Sequence, residues 1–316
     1  LLLDKKKKIL IAPLNWGLGH ATRCVPIIAA KLTAGHEVII AADGGPLSLL
    51  QQKFPTCTFI TLKGVKIQYS KWMIVSMAFQ VPRFLFSIYS EHQALKKIIS
   101  EHKIDQVISD NRYGLWNKKI ESIFITHQIN IQSPIFEKLL FRINCHFISK
   151  YNECWVPDYE GSPNLSGDLS HPKNEYFKNN FPKNLKYIGP LSRFTGLTII
   201  ASENIYEAIG IVSGPEPQRS KFLEKLKHDF SKLKGKTLII AGKPDVENQE
   251  KIENITIVNH LNDAEFVRAL FAAQKIICRS GYSTIMDLHV LGLSAEFIAT
   301  PGQTEQEYLA KQMAEK

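Results

Sequence analysis

Lys275-Ile276-Ile277-Cys278-Arg279-Ser280-Gly281-Tyr282-Ser283-Thr284-Ile285-Met286-Asp287-Leu288-His289-Val290-Leu291-Gly292 is the stretch whose reading decides the fold. An apolar run stops at Arg-Ser-Gly, apolar residues then recur at Ile285, Met286, Val290 and Leu291, and Gly292 closes the pattern. This order predicts a strand, a tight turn and a helix, with a second strand from Ser294. Ser280 and Gly281 fall where the helix begins, so backbone N–H groups and the positive dipole end there suit an anion such as a phosphate. Asp287 lies about two turns in, where a carboxylate accepts hydrogen bonds from ribose hydroxyls. The plainer reading of the same residues is an ordinary strand-to-helix turn followed by a solvated aspartate.

Further strands are expected at 208–212, 237–242 and 255–258, with Ser213-Gly214 leaving the first of them. A helix is expected at 222–230 and another at 264–273, capped by Asp263. The helix that starts at Thr304 is still in progress at Lys316, so this domain reads as cut short at its end.

The N-terminal half repeats the scheme. Strands at 8–13 and 37–42 flank Asn15-Trp16-Gly17-Leu18-Gly19-His20-Ala21-Thr22-Arg23 and an apolar helix that closes at Gly35. This β-loop-α-β order opens a doubly wound parallel sheet. Gly17 and Gly19 clear side chains from the backbone, and His20 stands at the strand's C-terminal edge, where such sheets place ligands; a simple helix-capping histidine is the alternative. Strands follow at 58–62, 106–109, 122–126 and 152–156. Asp110-Asn111-Arg112 and His127-Gln128 end two of them. Residues 157–182 are rich in Pro, Gly, Asn and Ser and predict a loop region. Composition changes after residues 185–193, which places the domain boundary at 195: an acceptor-side Rossmann-like domain over 1–195 and a ligand-binding domain over 196–316.

The chain has 316 residues, 44% hydrophobic and 22% charged, as in soluble globular proteins. No apolar run spans a bilayer, and the N-terminal charges follow the apolar residues, the wrong order for a signal peptide. Five cysteines without C-x-x-C spacing indicate neither a zinc site nor a disulfide framework, and a reducing cytoplasm is the expected compartment. The net charge of +9 is uneven: residues 1–195 carry 25 Lys/Arg against 14 Asp/Glu, a balance of +11, and the remainder carries 14 against 16. The stretches 71–89 and 134–150 combine large apolar side chains with Lys71, Arg83, Lys138, Arg142 and Lys150. Packing in the core accounts for such helices, and so does docking of the first half on an anionic membrane face. No nucleic-acid partner is expected.

Two doubly wound domains, a G-x-G-H loop after the first strand, and the series Arg279-Ser280-Gly281, Asp287, Glu305-Gln306 together resemble the GT-B glycosyltransferases, whose Rossmann-like domains face each other across a cleft. Within them the chain resembles glycosyltransferase family 28, the family of the enzyme that adds N-acetylglucosamine to an undecaprenyl-linked peptidoglycan precursor. The resemblance implies that Ser280 and Gly281 bind a diphosphate, that Asp287 binds ribose and that Glu305 and Gln306 contact the donor sugar. It also implies donor contacts at Arg193, Ser213, Gly214, Arg279 and, through its backbone, Leu261. Gly17, Gly19, Asp110, Arg112, His127 and Gln128 fall on the acceptor side, with His20 as the catalytic base. Asn15-Trp16 in place of two small residues, and Thr300-Pro301-Gly302-Gln303, depart from the family pattern and leave acceptor and donor sugar open.

The expected activity is inverting transfer of a sugar from a nucleotide-diphosphate sugar, UDP-linked by resemblance, to a hydroxyl acceptor that is lipid or polyprenyl-linked. No D-x-D sequence occurs, which agrees with transfer without a metal, and no cofactor is expected beyond the nucleotide-sugar substrate. Gly17-Leu18-Gly19-His20-Ala21-Thr22-Arg23-Cys24 also resembles nucleotide-sugar hydrolases of the same fold, in which water replaces the acceptor. A nucleotide-sugar-binding protein without catalysis is a third class.

Overall fold

A computed structural model describes residues 5–64, 73–133, 135–197, 205–243 and 249–315, with no side chains at 73–80. The contacts divide the chain between Arg193 and Phe194, two residues before the expected boundary.

In chain order the first unit runs β1 (Lys8–Pro13), α1 (Leu18–Thr33), β2 (Glu37–Ala42), α2 (Gly44–Lys53), β3 (Thr58–Thr61), α3 (Met73–His102), β4 (Gln106–Asp110), β5 (Glu121–Ile125), α4 (Glu137–Ile148), β6 (Glu153–Val156), α5 (Glu175–Asn179) and β7 (Leu185–Tyr187). Its seven strands form one parallel sheet in the order β3-β2-β1-β4-β5-β6-β7. Strand β1 shows why the sheet is covered on both faces. Side chains alternate, so Ile9 and Ile11 pack with Ala21, Cys24, Val25 and Ile28 of α1, while Leu10 and Ala12 pack with Leu95 and Ile98 of α3.

The second unit runs β8 (Ala208–Ile211), α6 (Gln218–Phe230), β9 (Thr237–Ile240), β10 (Gln249–Ile252), β11 (Ile255–Val258), α7 (Asp263–Phe271), β12 (Ile276–Cys278), α8 (Tyr282–Leu291), β13 (Glu296–Phe297) and α9 (Thr304–Ala314). The sheet order is β10-β11-β9-β8-β12-β13, parallel except for the β10 edge. Ile209 and Ile211 face α7 and α8, and Ala208 faces Phe222, Leu226 and Phe230 of α6. A Cβ on Gly210 would lie 2.7 Å from Leu226 Cδ1, so glycine is what lets α6 seat so closely on β8.

Four details differ from the sequence reading. Asn262, not Asp263, caps α7: its side chain accepts from Glu265 N at 3.0 Å and Glu265 Oε2 accepts from Asn262 N at 3.2 Å, a reciprocal capping box. Helix α3 continues past residue 89 to His102, because Leu95 and Ile98 anchor its later turns on the sheet. Strand β10 was not foreseen, since Gln249–Ile252 is exposed throughout and carries no alternation. The 157–182 region contains α5 and a 3-10 turn, Gly167–Leu169, and its start is built around Asp158. That buried carboxylate accepts from the backbone N–H groups of Tyr159 at 2.8 Å, Leu165 at 2.9 Å and Ser166 at 2.7 Å. Of the basic helix residues noted above, Lys71 lies outside the described residues.

Candidate active site

In the first sheet β1 and β4 are neighbours, and the chain leaves β1 toward β2 on one side and β4 toward β5 on the other. The loops therefore part at this point, the position where open α/β sheets hold ligands. Gly17 turns the chain there with φ +123°, a conformation that favours glycine, and α1 begins at Leu18. His20 occupies the first turn, and Arg23, three residues on, shares its face of the helix. Asp110 is the last residue of β4 and wholly buried. His127 follows β5.

These residues form one cluster. Arg23, 2% exposed, donates from Nε to Asp110 Oδ2 at 2.8 Å and from Nη2 to Asp110 Oδ1, so it grips both carboxylate oxygens. Its Nη2 also lies 3.0 Å from His20 Nδ1, and its Nη1 lies 3.3 Å from His127 Nδ1. Asp110 Oδ1 is 3.3 Å from His20 Nδ1, and the Cys24 thiol reaches Oδ2 at 3.6 Å.

The charges follow from this geometry. Burial alone would raise the Asp110 carboxyl, but the Arg23 guanidinium and His20 hold it well below the usual carboxylate range, so it is ionised. His20 is pushed down from 6.5, first by burial and then by Arg23, against the opposing pull of Asp110. The ring is therefore neutral near neutral pH, the state a base requires. Burial and Asp110 push the Cys24 thiol well up, which leaves it an inert packing residue.

The second sheet has its switch point between β8 and β12, where the chain turns toward β9 on one side and β13 on the other. Ser213 and Gly214, the latter at φ +100°, leave β8; Arg279, Ser280 and Gly281 leave β12. Gly281 is the N-cap of α8 and has no side chain with which to cap it, so the dipole end of that helix opens onto the sheet edge. The Ser280 hydroxyl donates to Gln306 O at 2.7 Å, and Gln306 Oε1 accepts from Thr300 N at 2.9 Å, which closes the 300–306 loop over the same edge. Asp287 is half-buried on α8, and Glu305 stands in the first turn of α9.

No protein-family model matches the chain. Curated relatives do. The chain is 23% identical to an uncharacterized glycosyltransferase of Methanosarcina acetivorans, over 95% of its own length and 79% of the relative. It is 25% identical to an uncharacterized glycosyltransferase of Methanosarcina mazei, over 98% and 84%. It is 24% identical to the UDP-N-acetylglucosamine--N-acetylmuramyl-(pentapeptide) pyrophosphoryl-undecaprenol N-acetylglucosamine transferase of Buchnera aphidicola, over 79% and 65%. Among solved structures, the glycotransferase of kitacinnamycin superposes with a TM-score of 0.66 at 15% identity, over 99% of this chain and 85% of that one. MurG of Acinetobacter baumannii superposes at 0.52 and 13% identity, over 98% and 82%. The chain is a GT-B glycosyltransferase.

The relatives named here are transferases, which gives the hydrolase alternative no support. Within this glycosyltransferase, His20, Asp110 and His127 converge on Arg23, and Ser213, Gly214, Ser280 and Gly281 leave neighbouring strands at the edge of the second sheet, with Asp287 farther along α8. Three of the expected site residues are engaged within the fold. Arg112, expected to meet an acceptor, is 1% exposed: it donates from Nε to Glu91 at 3.0 Å, from Nη1 to Leu62 O at 3.1 Å and from Nη2 to Lys63 O at 3.0 Å, and so ties α3 and the β3 exit to β4. Arg279, expected on the diphosphate, lies 4.0 Å over the Phe222 ring and donates from Nη1 to Ala299 O at 2.7 Å, a brace inside the domain. Asp110 is sealed from solvent and meets His20 and Arg23. Gln128 is half-buried, its N–H donating to Thr126 Oγ1 at 3.1 Å. Leu261 packs partly buried against the second core, and Arg193 ends the first unit.

Arg23 was not foreseen as a site residue. The signal was an arginine one turn after the histidine, combined with a carboxylate closing the strand that runs through Val107 and Ile108.

Proposed function

We propose that this glycosyltransferase moves a sugar, with inversion and without a metal, from a UDP-type nucleotide-diphosphate sugar to a hydroxyl on an apolar, lipid or lipid-linked acceptor. The observation that carries this reading is the His20 imidazole at the open edge of the first sheet, with Asp110 Oδ1 3.3 Å from its Nδ1. With the proton on Nδ1 donated to Asp110, Nε2 takes the acceptor hydroxyl's proton as that oxygen attacks the anomeric carbon. The leaving diphosphate gathers negative charge, and the N-terminus of α8 at Gly281 offers it backbone N–H groups and the dipole end. Asp287 then binds ribose, and Glu305 and Gln306 contact the sugar. The domain assignment is tested with Asp287→Ala. Binding of UDP, dTDP and GDP is compared by calorimetry, and loss of a charged hydrogen bond of about 1.5–3 kcal/mol weakens the preferred nucleotide by roughly tenfold or more. The melting temperature stays near wild type, and equal affinities in wild type and variant refute the assignment.

An apolar acceptor is supported by the surface around the same loop. Leu14, Trp16, Phe84, Ile88 and Tyr113 line a small cavity beside it, together with Ser87, Glu91, Asn111 and Arg112. On α3, Leu85, Phe86 and Tyr89 face outward, and Leu139 and Ile143 do so on α4. Phe136 precedes α4 at φ +62°, an uncommon conformation for a bulky residue, and is 70% exposed. Arg83, Lys138 and Arg142 are exposed among them. These features support docking of the first unit on an anionic lipid surface, each cation contributing on the order of 1 kcal/mol. Among the described residues no helix is long and apolar enough to cross a membrane. Co-sedimentation with anionic vesicles is expected at low salt, fading as salt rises and reduced in Arg83→Glu/Arg142→Glu. No sedimentation at low salt refutes docking.

A further inference from the structure

We propose that Arg23 is a positioning residue for His20: by holding both oxygens of Asp110 and setting its positive charge beside the imidazole, it keeps the base from being captured as an ion pair. This rests on the reading of His20 as the base.

An ionised carboxylate 3.3 Å from an imidazole favours the protonated ring, and an imidazolium takes no further proton. Arg23 removes that bias in two ways. Its Nε and Nη2 bonds balance the Asp110 charge, and its own positive charge, 3.0 Å from His20 Nδ1, opposes a second cation there. The Nδ1 atom then has a partner in either neutral tautomer. A lone pair on Nδ1 accepts from Arg23, and a proton on Nδ1 donates to Asp110, the arrangement that frees Nε2.

The groups acting on the ring are Arg23 on its own helix, Asp110 at the end of β4 and His127 beyond β5; Cys24 reaches only Asp110. Of these, Asp110 alone favours a charged ring. A salt bridge that served folding alone would need only the Asp110 contacts. The further reach of Arg23 to His20 Nδ1, at 3.0 Å, is what control of that ring's proton requires.

The test compares the pH dependence of kcat in wild type, Arg23→Gln and Arg23→Lys, together with the imidazole 15N titration of His20. Arg23→Gln is expected to move the acid limb of kcat upward by about one to three pH units with the donor KM unchanged. Arg23→Lys, which keeps the charge, leaves the limb in place. A Gln profile that is lowered but keeps the wild-type limb, with an unmoved 15N titration, overturns the proposal, since a structural role alone would give that result. If the 15N titration moves and the rate profile does not, control by Arg23 stands and the base reading of His20 falls. The wild-type titration keeps the proposal falsifiable even if Arg23→Gln does not fold: an imidazolium at pH of about 6.5 overturns it.

Discussion

Replacing His20 by alanine is expected to lower kcat by about two to four orders of magnitude while the donor still binds, because the lost group acts on the acceptor's proton in the transition state. The proposed donor contacts lie in the second unit, which the substitution does not touch, so calorimetry with the nucleotide serves as the internal control. The wild-type pH profile carries the same assignment. The folded pKa of His20 lies below 6.5, so the active neutral form persists above that value and is lost as pH falls through the lower, folded one. An acid limb above pH of about 6.5 contradicts this assignment, as does turnover by His20→Ala at the wild-type rate.

The second large effect is on stability. Asp110→Asn leaves the Arg23 guanidinium, 2% exposed, without its carboxylate in the interior, and breaking such a pair costs about 3–5 kcal/mol. The expected readout is a lower urea midpoint with an unchanged slope. Removing both partners as Arg23→Met/Asp110→Leu leaves no buried charge and restores much of that loss, but the protein stays inactive. A single variant within about 1 kcal/mol of wild type would show that the pair is hydrated. Because Asp110 is held low, its contribution is present above the unfolded value of about 3.9 and lost as pH falls through the folded one.

What the sequence disclosed and what it concealed separate along physical lines. Strands such as β1, β2 and β11 and the Gly292 stop, at φ +69°, were legible because apolar runs and glycine act locally. The clustering of polar strand exits was legible because a parallel sheet puts them on one side. The direction of a long side chain is not a local property. Arg112 and Arg279 follow strands just as a ligand-binding arginine would, and only the fold shows that carbonyl groups, Glu91 and the Phe222 ring claim them. The coupling of Arg23 to Asp110 spans 87 positions and exists because β4 pairs with β1, a choice made by the whole sheet.

The loop that leaves β6 shows where this scaffold tolerates change. A single buried carboxylate, Asp158, fastens the chain at Tyr159 and again at Leu165 and Ser166, while residues 160–163 between those points are exposed. Sequence drift or insertion at the tip therefore strains nothing below it, whereas any change at Asp158 frees both ends together. The C-terminal edge of the first sheet thus carries a replaceable segment on a fixed base, an arrangement that lets a surface loop vary without refolding the sheet beneath it.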